Sequence, residues 1–445
     1  MLLDHPDIQA PPGTNTRSET LERRSKPVGD DVERSGNGGA GEAPEAPPWY
    51  IANKSSASTA NEWRRKRFER RQRSSDWLIR GTRMEAGLPP VAAAGEGAKA
   101  SEDGWIRPPR PARCRWRVAE TVGVHHSGDL DTNAHFSGLE RCASIWACPV
   151  CSAVIRAERA TDIQSAVEKW QTDENHLVFV TLTMRHKRTD KLAVTLNAAL
   201  KAWSKVTSGR AWVNFKNQFG VQGFVRAVEV TLGENGWHPH IHALLFTNKP
   251  MTADDQEALS SALFDRWVKY VTSLGGGMPS KLRGIDVRPA TKDGKVVAQY
   301  LSKVQEKNLK PDQGIGKEMA RFDFKTGRGL SMTPFELLDG SDNDENFIIM
   351  KLWNEYVAAT KGRRAITWSQ GLRDLVALED ERTDEEILED TKEDDLQLLI
   401  PGQDWDRIKN KPLRLADILE YTEKGDLESV VTVIETALPV QWEPA

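Results

Sequence analysis

Three histidines lie within five residues, His238, His240 and His242, and run into the apolar segment 243–246. On a β-strand alternate side chains share a face, so His240 and His242 would point the same way. Two imidazoles spaced like this can bind one divalent ion. We predict His240 and His242 as metal ligands and His238 as a flanking or substrate-contacting residue, because Pro239 marks the start of the strand. A chance cluster of surface histidines is the alternative.

A carboxylate just upstream is the candidate third ligand. Residues 222–232 and 240–247 read as two strands, and residues 233–237 between them are typical of a hairpin turn. Glu229 would then lie beside the histidines. An acidic oxygen with two imidazoles suits Mg²⁺ or Mn²⁺ better than a closed zinc site. The alternative is that Glu229 faces solvent and pairs with Arg226.

Tyr300 and Lys303 lie three residues apart on a predicted helix, residues 295–306, and would share one face of it. A phenol, with a pKa of about 10, attacks phosphorus poorly unless a cation stabilises the phenolate. Lys303 and a metal ion could both do so. Such a pair is weak evidence by itself, because a half-buried helical tyrosine with its hydroxyl turned outward is more common.

The four cysteines of the chain are Cys114, Cys142, Cys148 and Cys151. A Cys-x-x-Cys pair with a third cysteine six residues upstream has zinc-ligand spacing, and Cys114 could complete a tetrahedral set. The alternative fourth ligands are His125, His126 and His135. Reduced cysteines without a metal ion are the other interpretation.

Composition and charge limit the classes of protein that fit. The chain has 445 residues, a net charge of -4 and a mean hydropathy of -0.56. It has no apolar run of the roughly 18 residues that span a bilayer, and no signal-peptide pattern, so we expect a soluble cytoplasmic protein. The charge is unevenly distributed: residues 1–100 carry +2, residues 101–340 carry +7 and residues 341–445 carry -13. The basic middle is compatible with a DNA partner.

The hydrophobic pattern predicts the fold class. From residue 177 the elements read βαββαβ and then a helix. This order predicts an α+β fold: a ferredoxin-like antiparallel sheet with helices packed on one face and with its first and third strands central. We predict four regions. They are a disordered segment with a basic arm (63–73) and a linker over 1–103, a Cys-rich zinc module over 104–153, a catalytic domain over 154–340, and a mainly helical, acidic region over 341–445.

Two charged segments lie outside the predicted catalytic domain. The basic arm could contact a phosphate backbone, or be a solvated basic helix without a dedicated role. Its candidate contacts are Arg64, Arg65, Lys66 and Arg67. Residues 379–395 hold eleven carboxylates. That run is most simply solvated, and the alternative is that it competes with DNA for the basic face.

Three segments together resemble a known family. Phe179-Val-Thr-Leu-Thr183, Trp237-His-Pro-His-Ile-His242 and Tyr300-Leu-Ser-Lys303, in this order, look like the three motifs of rolling-circle plasmid replication initiators, which belong to the HUH endonuclease superfamily. The resemblance covers about residues 110–375. Residues 333–338 and 361–368 are similar to single-tyrosine actinobacterial members. Related proteins also carry Cys-x-x-Cys segments upstream that look like zinc-binding elements.

The resemblance implies a metal-dependent nickase with His240, His242 and Glu229 as ligands of Mg²⁺ or Mn²⁺. Tyr300 would cut one strand of a single-stranded or extruded plasmid origin, giving a 5′-phosphotyrosine and a free 3′-OH, and the strand would later be rejoined. The candidate phosphate contacts are Lys303, Arg185 and Lys187.

The implied partners are origin DNA, a host helicase and a host polymerase, with no membrane. Some relatives carry a glutamate four residues before the tyrosine, and Val296 stands at that position here, so the termination step has no assigned residue. The rival functions are a relaxase or transposase with the same chemistry, and a zinc-module DNA-binding regulator without nuclease activity.

Overall fold

The computed structural model describes residues 56–89, 106–127, 134–171, 174–290, 332–339, 346–389 and 396–436. The helices in these ranges are α1 (Ser56–Glu85), α2 (Pro149–Trp170), α3 (Leu192–Val206), α4 (Gly209–Phe219), α5 (Ala253–Ser273), α6 (Asn346–Thr360), α7 (Leu372–Leu375), α8 (Asp384–Glu389), α9 (Gly402–Ile408), α10 (Pro412–Glu423) and α11 (Leu427–Glu435). The strands are β1 (Thr121–His125), β2 (His135–Phe136), β3 (His176–Leu182), β4 (Val221–Gly233), β5 (Gly236–Thr247), β6 (Ile285–Ala290), β7 (Ile366–Trp368) and β8 (Leu396–Pro401). Short 3-10 turns span Arg110–Arg113 and Pro334–Asp339.

Five strands form the central antiparallel sheet, in the order β6-β3-β5-β4-β7. The α+β class is confirmed, and β3 and β5, the first and third strands of the predicted series, are central as predicted. Two elements depart from the sequence pattern. The helix α4 lies between α3 and β4, and β7 pairs with the outer edge of β4. The predicted helix 295–306 lies outside the described residues.

The hairpin of β4 and β5 is closed by a tight turn that requires glycine. Gly236 has φ +85°, in the left-handed region, and a Cβ built there would lie 3.0 Å from the Cα of Arg188. The turn therefore lies against the loop that follows β3. This contact fixes where that loop passes the end of the hairpin.

Aromatic side chains attach the helices to the two faces of the sheet. On one face Trp203 of α3 packs edge-on against Phe224, with ring centroids 5.0 Å apart. Trp267 of α5 is fully buried, and its indole N–H donates to the carbonyl of Thr183 at 2.7 Å. On the other face Trp170 of α2 packs against Phe246, at the end of β5 away from the histidines. Helices therefore pack on both faces, and the prediction of helices on one face only is wrong, because α2, which precedes β3, covers the second face.

A second, three-stranded sheet has the order β2-β1-β8 and packs with the C-terminal helices. Its core includes Val122, Val124 and Trp405, and the Trp405 ring meets Phe136 edge-on with centroids 5.0 Å apart. The described part of residues 341–445 is mainly helical, as predicted, but it is not a region separate from the two sheets. In this part of the chain β7 completes the central sheet, and β8 pairs with β1 of the segment predicted as a zinc module.

The prediction of disorder over residues 1–103 is wrong for residues 56–89. These contain α1, a helix of 30 residues that buries Phe68, Trp77 and Leu78. The helix packs against α2, α6 and α10. The basic arm is therefore the middle of a packed helix. Its apolar residues are outnumbered by arginines, and this hides the helical stripe in the sequence.

Several of the basic side chains of α1 form ion pairs within the protein. Arg64 contacts Glu423 at 2.6 Å, Arg65 contacts Asp417 at 2.7 Å, and Lys66 contacts Asp339 at 3.1 Å. These carboxylates lie far along the chain. The DNA contacts predicted for Arg64, Arg65, Lys66 and Arg67 remain a prediction, and the described contacts give at least the first three an intramolecular role.

The pair of Arg70 and Asp339 leads to a stability prediction. Arg70 is 5% exposed and donates two hydrogen bonds to Asp339, at 2.7 and 2.6 Å. Burial alone would raise the pKa of Asp339, but the contacts with Arg70 and Lys66 lower it overall. We expect Asp339→Asn to reduce the free energy of unfolding at neutral pH by about 1–2 kcal/mol, because it leaves a buried guanidinium without its carboxylate. Urea denaturation would measure this.

The same prediction has a pH dependence. Since the folded pKa of Asp339 is depressed, its stabilisation is present above the unfolded pKa of about 3.9 and is lost as pH falls through the lower folded value. The difference between native protein and Asp339→Asn should therefore disappear in acid. Asp374→Asn, at an exposed position, is the control. Equal losses for the two variants would contradict the prediction.

Part of the acidic run at 379–395 also forms ion pairs. Arg159 of α2 contacts Glu381 and Asp384, each at 3.0 Å, and Arg110 contacts Glu385 at 2.9 Å. Residues 390–395 lie outside the described part. Glu381 and Asp384 therefore pair with the buried Arg159, whereas Glu385 remains exposed, as expected for a solvated run. Of the helices described, none is both long and apolar enough to cross a bilayer.

Candidate functional site

The β4–β5 hairpin brings the predicted metal ligands together. Glu229 on β4 lies directly opposite His240 on β5, and Thr181 on β3 lies opposite His242. Because side chains alternate along each strand, all four point to the same face of the sheet. The strand register therefore places Glu229, His240 and His242 on one face of the sheet, as the sequence predicts.

Glu229 and His242 are in direct contact. The Oε2 of Glu229 lies 2.8 Å from the Nε2 of His242, and the two side chains are 13% and 11% exposed. On the other side of the ring, Nδ1 of His242 lies 3.1 Å from the hydroxyl of Thr181. Thr181 therefore holds the imidazole so that Nε2 faces the carboxylate. The alternative pairing of Glu229 with Arg226 is wrong, because Arg226 points to the opposite face and donates to Thr367.

Four imidazoles form a row that continues from this pair. Ring centroids lie 6.1 Å apart for His242 and His240, 3.9 Å for His240 and His238, and 4.4 Å for His238 and His186. The Nδ1–H of His186 donates to the carbonyl of Asn235 in the hairpin turn, at 2.8 Å. Burial, and then the neighbouring His186, lower the pKa of His238 to about 4. His238 is therefore neutral at physiological pH.

The donor atoms are suited to a divalent ion. Adjacent ligands of an octahedral ion, each about 2.1 Å from it, lie about 2.9 Å apart. The 2.8 Å separation between Glu229 Oε2 and His242 Nε2 matches that spacing. A carboxylate beside imidazoles, with a hydroxyl fixing one ring from behind, is a common arrangement of metal ligand and supporting group. Residues on this hairpin could therefore hold a metal ion.

The predicted nucleophile pair, Tyr300 and Lys303, lies outside the described residues, and so does Val296. Another tyrosine, Tyr356, lies within the described residues. Tyr356 of α6 is 3% exposed and packs between Trp237 and Trp353, with ring centroids 5.7 and 5.5 Å away. Burial raises the pKa of Tyr356 far above its usual value. Its hydroxyl is therefore unsuited to act as a nucleophile.

Arg185 and Lys187 flank His186 in the loop after β3, and both are exposed. His186 is a contact that the sequence analysis missed, although it lies only three residues after the Phe179–Thr183 segment. Asp286 on β6 is a second one. It lies opposite Thr181, on the histidine side of the sheet, and pairs with Arg288 at 2.9 Å. The alternation of side chains along the strand-like segment 285–290 is the feature of the sequence that could have identified Asp286.

The four cysteines form a compact buried cluster. Their sulfur atoms all lie within 4.8 Å of one another, with Cys114 3.6 Å from both Cys148 and Cys151, and Cys142 3.7 Å from Cys151. Sulfurs at the corners of a tetrahedral zinc site, each about 2.3 Å from the ion, would lie about 3.8 Å apart. The cluster could hold a metal ion. The pKa of the Cys114 thiol is lowered because Cys142 and the other two thiols hydrogen-bond to its thiolate.

Local structure explains why the cysteines meet. Cys148 caps the N-terminus of α2, its sulfur accepting from the backbone N–H of Cys151, with Pro149 at the first helical position. Cys114 follows the 3-10 turn Arg110–Arg113. Among the described residues this group of potential ligands contains four cysteines and no histidine. Of the alternative histidine ligands, His125 contacts Ser137 and stacks on His135. Cys114 is thus the fourth member of the group.

Comparison with known proteins gives two kinds of match. A family model described as "Replication protein" matches residues 138–271. The chain is 31% identical over 321 residues to "Protein rep" of Streptomyces lividans, covering 59% of this chain and 68% of that protein. It is also 35% identical over 133 residues to a "Neomycin resistance protein" of Streptomyces cyanogenus, covering 24% of this chain and 30% of the relative. No solved structure matches the chain.

Proposed function

Because this chain belongs to the replication protein family of plasmid replication initiators, we propose that it starts rolling-circle replication by nicking one strand of a plasmid origin. The proposed reaction is metal-dependent, specific for site and strand, and reversible. The observation that carries the proposal is the contact between Glu229 and His242, with His240 beside them on the same hairpin.

The order of the strands supports an HUH endonuclease fold. Numbered within the series β3, β4, β5 and β6, the sheet runs fourth, first, third, second, which is the ferredoxin-like order. The histidine strand is therefore central, flanked by the carboxylate strand on one side and by the Thr181 strand on the other. Ligands on central strands are held rigidly, which a metal site requires.

The residues that would hold the ion are His240, His242 and Glu229. When bound, Mg²⁺ or Mn²⁺ supplies positive charge that stabilises the scissile phosphate in the transition state. Glu229 supplies the negative charge that favours a divalent cation at this position. Thr181 keeps His242 in the tautomer with Nε2 available, because its hydroxyl can accept from Nδ1–H.

Tyr300 is the proposed nucleophile. Its phenolic oxygen attacks the phosphorus, the bond between phosphorus and the 3′-oxygen breaks, and the 3′-oxygen takes a proton. The products are a 5′-phosphotyrosine and a free 3′-OH, from which a host polymerase extends after a host helicase opens the duplex. The phosphotyrosyl ester conserves the phosphodiester, so the reverse reaction rejoins the strand without ATP. Lys303 stabilises the phenolate, and Arg185 and Lys187 contact neighbouring phosphates.

We also propose that the Cys114, Cys142, Cys148 and Cys151 cluster binds one Zn²⁺. The sulfur spacing and complete burial of the cluster suit a closed four-thiolate site. The cluster lies between the N-terminus of α2 and the segment before β1. We therefore assign the zinc a structural role rather than a catalytic one. The zinc would fix α2 relative to the three-stranded sheet.

Nicking of a supercoiled plasmid carrying the cognate origin, in Mn²⁺, tests the proposal. We expect Glu229→Gln to lower the nicking rate about 10²-fold, because the amide keeps the shape of the side chain but removes the charge that favours the cation. Binding to origin duplex should change little. Glu234→Gln, at an exposed position in the turn of the same hairpin, is the matched control.

The outcomes separate the rival functions. A relaxase or transposase would nick a different DNA, so activity would follow the sequence supplied rather than the plasmid origin. A DNA-binding regulator would produce neither nicked product nor covalent adduct. Equal nicking rates for Glu229→Gln and Glu234→Gln would contradict the metal assignment.

A further inference from the structure

A cavity of 410 Å³ lies on the face of the sheet opposite the histidines. It is formed by the end of α3, the middle of β4 and the segment 362–368 that leads into β7. We call it the β4–β7 cavity. Its lining includes Trp203, Phe224, Arg226, Arg363, Arg364 and Trp368. Three guanidinium groups and three aromatic rings therefore surround one space.

The guanidinium of Arg226 is buried in this cavity without a counterion. Arg226 is 6% exposed and donates to the hydroxyl of Thr367 at 3.0 Å and to the carbonyl of Arg364 at 3.3 Å. Within the described ranges no carboxylate forms an ion pair with it. A buried charge is costly unless it is paired. Neutral oxygens only partly offset that cost, so the group is suited to receive an anion.

The segments that build the cavity have no acidic residues. Residues 191–228 contain six Lys or Arg and no Asp or Glu, and residues 356–373 contain four Lys or Arg and no Asp or Glu. The whole chain, in contrast, has more acidic than basic residues. The absence of carboxylates from both segments leaves a local excess of positive charge. That excess favours a polyanion over a neutral or cationic ligand.

The positive charge extends beyond the cavity. Arg363 and Arg364 are exposed at its rim, and Lys201, Lys205 and Arg210 are exposed along α3 and at the start of α4. A single free nucleotide would fill the cavity and leave these outer cations unused. A strand with several phosphates would meet both the cavity and the cations outside it. Of the aromatic rings in the lining, that of Trp368 is partly exposed and offers a stacking surface for a base.

We propose that the β4–β7 cavity binds a phosphodiester of single-stranded DNA, with Arg226 and the rim arginines on the phosphate and a base against Trp368. The inference rests on the proposed function, which supplies single-stranded origin DNA as the partner. It assigns a role to residues 361–368, which the nicking chemistry does not use. The site is a second strand contact, on the side of the sheet away from Glu229, His240 and His242.

Binding of the full chain to a fluorescent oligothymidylate of about 30 nucleotides, in EDTA, tests the inference. We expect the double variant Arg363→Gln with Arg364→Gln to bind about 10-fold more weakly. The magnitude of the slope of log affinity against log salt should fall by about 1.4, as two phosphate contacts are lost. Both residues are exposed, so the fold should be retained. The charge-matched control is Arg407→Gln with Lys411→Gln, on exposed positions of the C-terminal helices, and should stay within about 2-fold.

Each other outcome overturns the inference. Equal weakening in both double variants would mean that only the total charge matters. Unchanged oligothymidylate binding, together with lost binding of ATP, would make the cavity a nucleotide site. Failure of the proposed nicking would show as an absence of nicked plasmid in Mn²⁺, whereas failure of this inference shows as unchanged affinity in EDTA. Photocrosslinking of a 4-thiothymidine oligonucleotide should label the peptide that contains Trp368, and labelling confined to other peptides would also refute the inference.

Discussion

Replacing Tyr300 by Phe is expected to abolish the covalent protein–DNA adduct and to lower nicking on the order of 10⁴-fold, because the substitution removes only the oxygen that attacks phosphorus. Binding to origin DNA should be retained, since the substitution keeps the aromatic ring. The adduct would be measured on a denaturing gel with an origin oligonucleotide labelled on the 5′-phosphate side of the nick.

The control for this experiment is Tyr356→Phe. Tyr356 is buried against Trp237 and Trp353, and its pKa is raised. Losing its hydroxyl should therefore leave the adduct yield within about 2-fold of the native value. An adduct that persists in Tyr300→Phe would disprove the nucleophile assignment. Loss of the adduct in Tyr356→Phe as well would point to a folding defect or a different nucleophile.

The second large effect concerns the cysteine cluster. We expect the purified protein to contain about one zinc per chain, and Cys148→Ser to lose it. Because a structural zinc site contributes folding free energy, the substitution should lower the free energy of unfolding by about 3 kcal/mol or more. Elemental analysis would measure the metal, and urea denaturation the stability. A strong chelator should destabilise native protein in the same direction.

A packing control separates the loss of metal from the loss of a buried side chain. Val150 lies between Cys148 and Cys151 in the sequence and is half-buried. Val150→Ala should cost about 1 kcal/mol and leave the zinc content unchanged. If native protein lacks zinc and Cys148→Ser unfolds like Val150→Ala, the cluster is a set of reduced thiols packed in the core.

The sequence predicts the hairpin site well because its signals are local. Strand alternation places His240 and His242 on one face, and the glycines of the turn set the register that brings Glu229 opposite His240. The helix predicted over 253–273 begins and ends where α5 does. In each case the residues that decide the structure lie within a few positions of one another.

Other parts of the fold depend on partners that lie far along the chain. The Arg64 guanidinium contacts Glu423, which is 359 positions away. Nothing near Arg64 in the sequence indicates that contact, so α1 resembles a free basic arm. The same reason applies to β7, a three-residue strand whose existence depends on the edge of β4. Arg226 is buried because β7 pairs with β4. The β4–β7 cavity therefore could not be predicted from the sequence.

β7 and β8 lie late in the chain, and this affects when the two sheets can form during translation. In the part of the chain that the structure describes, the outer edge of β4 at 225–227 gains its strand partner only when residues 366–368 have been translated. The edge of β1 that does not face β2 gains its partner only with residues 396–401. A bare sheet edge can pair with the edge of another molecule. Products of premature termination within this interval would therefore tend to aggregate, and completion of translation is required for both sheets to close.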